Sequence, residues 1–177
     1  KDSGDRIRFL FLILYSQSPL QFKNMNRAVK EFTKTMKYPE LKNVVKNRTI
    51  ELVGFCLMPN HFHLIVKELS EKGLANYMQR VLNAYTKYFN TKYERSGHLF
   101  QGPYKAVHIE DDRQLLYLSA YLHRNPRELK DWANRELEYP WSSFTDYVSE
   151  NRWDGLLVSD IITDRYAAST RAYECAG

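Results

Sequence analysis

The sequence predicts an α+β domain, and three observations carry that prediction. Short apolar runs rich in β-branched and aromatic residues alternate with stretches of helical period, and turn chemistry marks the joins. The order reads strand, helix, strand–strand, helix, strand, helix. Such an order favours an antiparallel sheet with helices mainly on one face, and a ferredoxin-like arrangement is the most economical solution.

Arg6 to Tyr15 (RIRFLFLILY) is closed by Ser16, Gln17, Ser18 and Pro19 and reads as a central strand. From Phe22 to Tyr38 the apolar residues Met25, Val29, Phe32 and Met36 recur at spacings of four, three and four, the stripe of an amphipathic helix stopped near Pro39. Thr49 to Leu57 reads as a strand, Met58-Pro59-Asn60 as a turn, and the run from His61 to Glu68 as a returning strand, so the pair forms a hairpin. Glu71 to Tyr93 carries a broad apolar side and reads as a long helix ended before Gly97. Leu99 to Ile109 reads as a turn feeding a short strand. Asp111 and Asp112 cap a helix over 112–125, with Leu115, Leu118 and Leu122 as its core stripe. Asn125-Pro126 ends it, because a residue before proline disfavours the helical region. The division expected is a domain over 1–150 and an extended tail over 151–177.

Net charge is +5 with a pI near 9.1, a balance that permits a polyanionic partner without requiring one. Cys56 and Cys175 stand far apart and form no metal-type pattern. The chain therefore lacks a disulfide framework, which predicts a reducing, cytosolic setting, and lacks the Cys-rich ligand set of a structural zinc protein. Phe9 to Leu14 is too short to span a bilayer, so no membrane association is expected.

Chemistry concentrates in MPNHFHLI (Met58 to Ile65). Residues i and i+2 of a strand face one side, so His61 and His63 point together and make half of a metal site. Taken alone, satisfied core or surface histidines are as good a reading. A third ligand can come from the helix of 112–125, where Tyr121 and Asn125 stack as i and i+4. An amide oxygen suits a hard cation such as Mg²⁺ or Mn²⁺, and a phenol beside a Lewis acid becomes a usable nucleophile.

These residues carry a resemblance. MPNHFHLIV resembles the HUH motif of single-tyrosine HUH transposases. The run Tyr121-Leu122-His123-Arg124-Asn125-Pro126 is similar to the Y-[IL]-x-x-N-P segment of their REP-associated tyrosine transposase branch. LFQGPYKA (Leu99 to Ala106) and YPWSS (Tyr139 to Ser143) resemble two further motifs of that branch, in the same order. The likeness covers roughly residues 5–145. Pro103 stands where the branch usually has Arg, and Arg127 where Val is commoner.

The resemblance implies metal-assisted cleavage and rejoining of single-stranded DNA. Tyr121 would attack a backbone phosphate to give a 5′-phosphotyrosine and a free 3′-OH, with His61, His63 and Asn125 holding Mg²⁺ or Mn²⁺. It further implies recognition of hairpin DNA, a homodimer, and a bacterial cytoplasmic location, at the nucleoid when bound to DNA. Gln101 and Lys105 would lie near the reacting phosphate. Arg80, Lys87, Lys92 and Arg95, with Lys105, interleave with Tyr77, Tyr85, Tyr88, Tyr93 and Tyr104, a composition suited to a groove that tracks phosphates and stacks bases. The competing readings are a catalytically silent nucleic-acid binder on the same fold and an HUH nickase of replication or plasmid transfer. The joint presence of His61, His63, Tyr121 and Asn125 favours the cleaving enzyme over the silent binder.

Overall fold

The computed structural model describes residues 2–174 and shows an α+β chain. Its antiparallel β1–β2 hairpin and seven α-helices, among the described residues, accord with a ferredoxin-like arrangement. The helices are α1 (Ser3–Tyr15), α2 (Met25–Thr35), α3 (Leu41–Lys46), α4 (Gly73–Lys92), α5 (Asp112–Arg124), α6 (Phe144–Val148) and α7 (Asp160–Glu174); β1 is Ile50–Leu57 and β2 is Phe62–Glu68. Two compact units divide the chain: residues 1–51 with 66–106, and residues 52–65 with 107–177.

The first unit corrects the opening element, because Arg6–Tyr15 lies in helix α1 and is not a strand. A continuous apolar run fits a buried helix as well as a buried strand, and the caps arbitrate. Here Asp2 accepts from the Asp5 backbone N–H at 2.9 Å and Asp5 accepts from that of Asp2 at 3.1 Å, a reciprocal capping box that starts a helix. Helix α1 is apolar nearly all round because it is enclosed by its own unit. Phe9 packs edge-on to Tyr85 of α4 at 4.8 Å, and Phe11 meets Phe32 of α2 at 5.4 Å. The Tyr77 hydroxyl of α4 donates to the Ile13 carbonyl at 2.8 Å. Gly73 opens α4 where no side chain fits, since a Cβ there would stand 2.4 Å from the Thr49 carbonyl oxygen. Leu99–Ile109 forms no strand either. Gly102 sits at φ +80° and Pro103 has no N–H to offer a ladder.

In the second unit, the hairpin tip supplies residues 52–65 and α5 supplies much of the apolar packing. Val53, Cys56, Ile65, Leu115, Leu122, Tyr139 and Ile162 belong to one buried cluster. The free edge of β1 is covered by the YPWSS segment. The Leu57 N–H donates to the Trp141 carbonyl at 2.8 Å, the Ser143 N–H donates to the Phe55 carbonyl at 2.9 Å, and the Tyr139 hydroxyl donates to the Leu57 carbonyl at 2.7 Å. Burial pushes the Cys56 thiol up to about 12, so it is an inert core residue; Cys175 lies outside the described residues.

Residues 151–174, read from sequence as an extended tail, fold instead as part of this second unit. Trp153, Leu156, Leu157 and Ile162 are buried. Asp146, itself buried, accepts from the Trp153 indole at 3.0 Å and from the Arg152 guanidinium at 2.8 Å. The Val158 N–H donates to the Leu52 carbonyl of β1 at 2.9 Å. Helix α7 is seated by the buried Ile162 and by the Arg165 guanidinium, paired to Asp112 at 2.5 Å.

Candidate active site

The HxH pair sits where the hairpin turns back. His61 is exposed just before β2 and His63 is half-buried within it, with ring centroids 5.0 Å apart. His61 Nδ1 lies 2.8 Å from the Asn60 side-chain oxygen, a contact that orients the ring. Burial holds the His63 imidazole below its usual range, and the neighbouring His61 pushes the same way. A hydrogen bond with Asn125 and the carboxylate of Glu128 oppose the shift. The net result keeps His63 neutral, the form that ligates metals.

Helix α5 brings the other half. Asp111 caps its start by accepting from the Gln114 N–H at 2.7 Å, and the apolar side of the helix carries Leu115, Ser119 and Leu122 into the core. Tyr121 therefore emerges at the helix edge, 50% exposed, with its ring edge-on to His63 at a centroid distance of 5.8 Å. Asn125, only 4% exposed, closes the helix. Its Nδ2 donates to the Tyr121 carbonyl at 2.8 Å, which ties the amide to the last turn. Its amide neighbours His63 and favours the charged form of that imidazole. The four residues expected to act together thus converge within the second unit.

The donor set can be tested against a metal. Among the described residues no group of three or more His, Cys, Asp and Glu is placed to hold an ion. The set that does converge is two imidazoles with an amide whose NH₂ is engaged by the helix, so the amide oxygen is the group offered to a ligand. Nitrogen with amide oxygen fits a borderline-to-hard divalent cation and does not fit structural zinc.

A family model for IS200-like transposases matches residues 21–125, more than half of the chain and the span that holds all four residues. The chain belongs to the IS200-like transposase family. No curated protein and no solved structure matches it. Membership makes DNA the partner of this transposase, and no helix among its described residues is long and apolar enough to cross a membrane.

The expected DNA-contacting cations all lie in the transposase's first unit, and they divide. Arg80 is committed to the fold: its guanidinium donates to the Ser16 carbonyl at 2.9 and 3.2 Å, closing the C-terminus of α1. Lys92 is committed too, bonded to Asp2 at 2.6 Å and Asp5 at 2.8 Å. Lys87, Arg95, Gln101 and Lys105 are exposed. The tyrosines of the same stretch are largely structural. Tyr77 and Tyr85 are buried, and the Tyr88 and Tyr93 hydroxyls donate to Asp5 at 3.1 and 2.7 Å. Tyr104 remains exposed.

Sequence reasoning missed the link that seats α5. His123 lies two residues from Tyr121, on the buried side, with Nε2 2.9 Å from Ser143 Oγ. Ser143 Oγ in turn accepts from the Phe55 N–H at 2.9 Å and lies 3.2 Å from the Phe55 carbonyl oxygen. One hydroxyl therefore joins α5 to β1, the strand that leads to the HxH turn. The signal was the YPWSS motif itself.

Proposed function

We propose that this transposase cleaves and rejoins single-stranded DNA in the manner of the REP-associated branch, through a 5′-phosphotyrosine on Tyr121. The observation that carries the reading is the meeting of Tyr121 and Asn125 with His63 in one compact unit. His61, His63 and Asn125 would hold the cation. Bound Mg²⁺ or Mn²⁺ supplies charge neutralisation at the scissile phosphate.

The chain's own residues supply the remainder. Tyr121 stands half in solvent at the end of a rigid helix, so a phosphodiester can approach its oxygen while the ring is steadied by His63. The phenolic oxygen forms the new P–O bond, the bond to the upstream 3′ oxygen breaks, and that oxygen takes a proton to become the 3′-OH. The phenol proton leaves to solvent or to a neighbouring base. The phosphotyrosine conserves the ester, so attack by a 3′-OH reverses the step and rejoins strands without a nucleotide cofactor. Asn125 orients the nucleophile indirectly, because its amide binds the Tyr121 carbonyl.

Hairpin DNA as the recognised form and a homodimer as the working assembly belong to the same proposal, and the motifs LFQGPYKA and YPWSS support them. The test is incubation of labelled single-stranded hairpin DNA with Mg²⁺ or Mn²⁺, comparing the wild type with Tyr121→Phe. A denaturation-resistant protein–DNA adduct in the wild type and none in the variant is expected. Cleavage that persists in the variant would overturn the mechanism.

A further inference from the structure

One face of α5 carries more than the proposed nucleophile. Arg113, Tyr117, Tyr121 and Arg124 follow one another at spacings of four, four and three, so they form a single stripe along the helix. All four are exposed. Tyr117 is 70% exposed, the most open large aromatic among the described residues. The opposite side of α5 is fully used by Leu115, Ser119, Leu122 and His123, so the stripe has no role in the core. Neither Arg113 nor Arg124 is tied into an ion pair among the described residues, whereas Asp112, beside the stripe, is neutralised by Arg165.

We propose that this stripe is the rail on which the DNA strand lies, with Tyr117 stacking an unpaired base next to the phosphate presented to Tyr121. The inference rests on the proposed role of Tyr121 and adds the substrate's path. One helical turn separates the two tyrosines, about 6 Å along the axis, which is on the scale of one nucleotide. A phosphate at Tyr121 therefore puts a neighbouring base within reach of the Tyr117 ring. Every base has a π-face, so an exposed phenol holds it without demanding a sequence. Arg113 and Arg124 flank the two rings with charge that complements the backbone on either side. An isolated exposed tyrosine would signify little; two tyrosines bracketed by two uncommitted arginines on one helix face match a polyanion with flat bases.

The test is binding of a fluorescently labelled, unpaired oligodeoxynucleotide to the whole chain, read by anisotropy, with Tyr117→Phe, Tyr117→Trp, Tyr117→Leu and Tyr117→Ala. Stacking needs the ring and not the hydroxyl. Phe and Trp should bind like the wild type, and Leu and Ala should weaken binding on the order of tenfold. Arg113→Ala with Arg124→Ala should lower the slope of affinity against salt concentration. The exposed position makes folding insensitive to these changes, and Leu keeps an apolar side chain should Ala fail to fold. Wild-type affinity in both Leu and Ala would overturn the proposal. So would equal losses in Phe and Ala, because the hydroxyl would then be the group in use. Adduct formation at saturating DNA separates the two readings. If wild type makes no adduct yet affinity follows the ring at 117, the chemistry at Tyr121 fails and the rail stands.

Discussion

The Tyr121 ring meets the His63 imidazole edge to face, with centroids 5.8 Å apart and planes 80° apart. The contact joins a strand residue to a helix residue, so it exists only if β2 and α5 pack in one register. It also makes the cheapest test of the site clean. Tyr121→Phe keeps the ring and the contact, and the residue is 50% exposed, so stability should change by no more than about 0.5 kcal/mol. DNA adduct formation should vanish while the thermal midpoint and DNA affinity stay put.

Asn125 is expected to behave differently, because it serves both the helix and the site. Asn125→Ala removes the side-chain bond to the Tyr121 carbonyl and a polar neighbour of His63. A loss of about 1 kcal/mol in denaturant unfolding is expected, together with loss of cleavage that raised Mn²⁺ restores in part. Full cleavage in that variant at low Mg²⁺ would remove Asn125 from the ligand set.

Lys92 and Lys87 lie on the same helix and should part company. Burial alone would push the Asp5 carboxyl up, yet bonds from Lys92, Tyr93 and Tyr88 hold it below the usual carboxylate range. Its contribution is complete at neutral pH and is lost as pH falls through the depressed value. Lys92→Met should cost about 1–2 kcal/mol of stability with little direct effect on DNA affinity. The pair Lys87→Ala and Lys105→Ala should leave unfolding unchanged and weaken DNA binding most at low salt.

His123 gives the molecule an acid limit. Burial pushes its imidazole down to about 4 against an ordinary value of 6.5, with Asp146 opposing. The unfolded chain binds this proton first as pH falls, so stability rises with pH between those values and is flat with respect to His123 outside them. The span is worth ~3 kcal/mol. Urea unfolding at pH 7 and pH 5 should show the loss, and His123→Gln should flatten it.

Asp146 is the anchor of the C-terminal segment. Asp146→Ala removes the carboxylate that accepts from the Trp153 indole and from the Arg152 guanidinium, leaving Arg152 its bond to the Ser142 carbonyl, at a cost of about 2 kcal/mol. Protease cleavage within 151–159 should become the first visible event in limited digestion.

The sequence by itself determined the parts whose signal is local. Two histidines at i and i+2 share a face wherever they lie in a strand, and Tyr121 and Asn125 share a turn wherever they lie in a helix. The Asp111 cap and the hairpin around Met58-Pro59-Asn60 are likewise decided within a few residues, whereas Asn125 keeps helical dihedrals before Pro126 and the chain runs on as a 3-10 turn over Asn125–Glu128. Only the tertiary structure decided what depends on enclosure. The apolar run 6–15 is a helix because its capping box starts one and α2 and α4 pack against its buried residues. Lys92 and Arg80 are committed to the fold because Asp5 and the end of α1 lie beside them, far away in sequence. Ser143 reaches both Phe55 and His123 across long stretches of chain, and no period in the sequence announces a contact of that kind. This hydroxyl ties the helix of Tyr121 to the strand before the histidines.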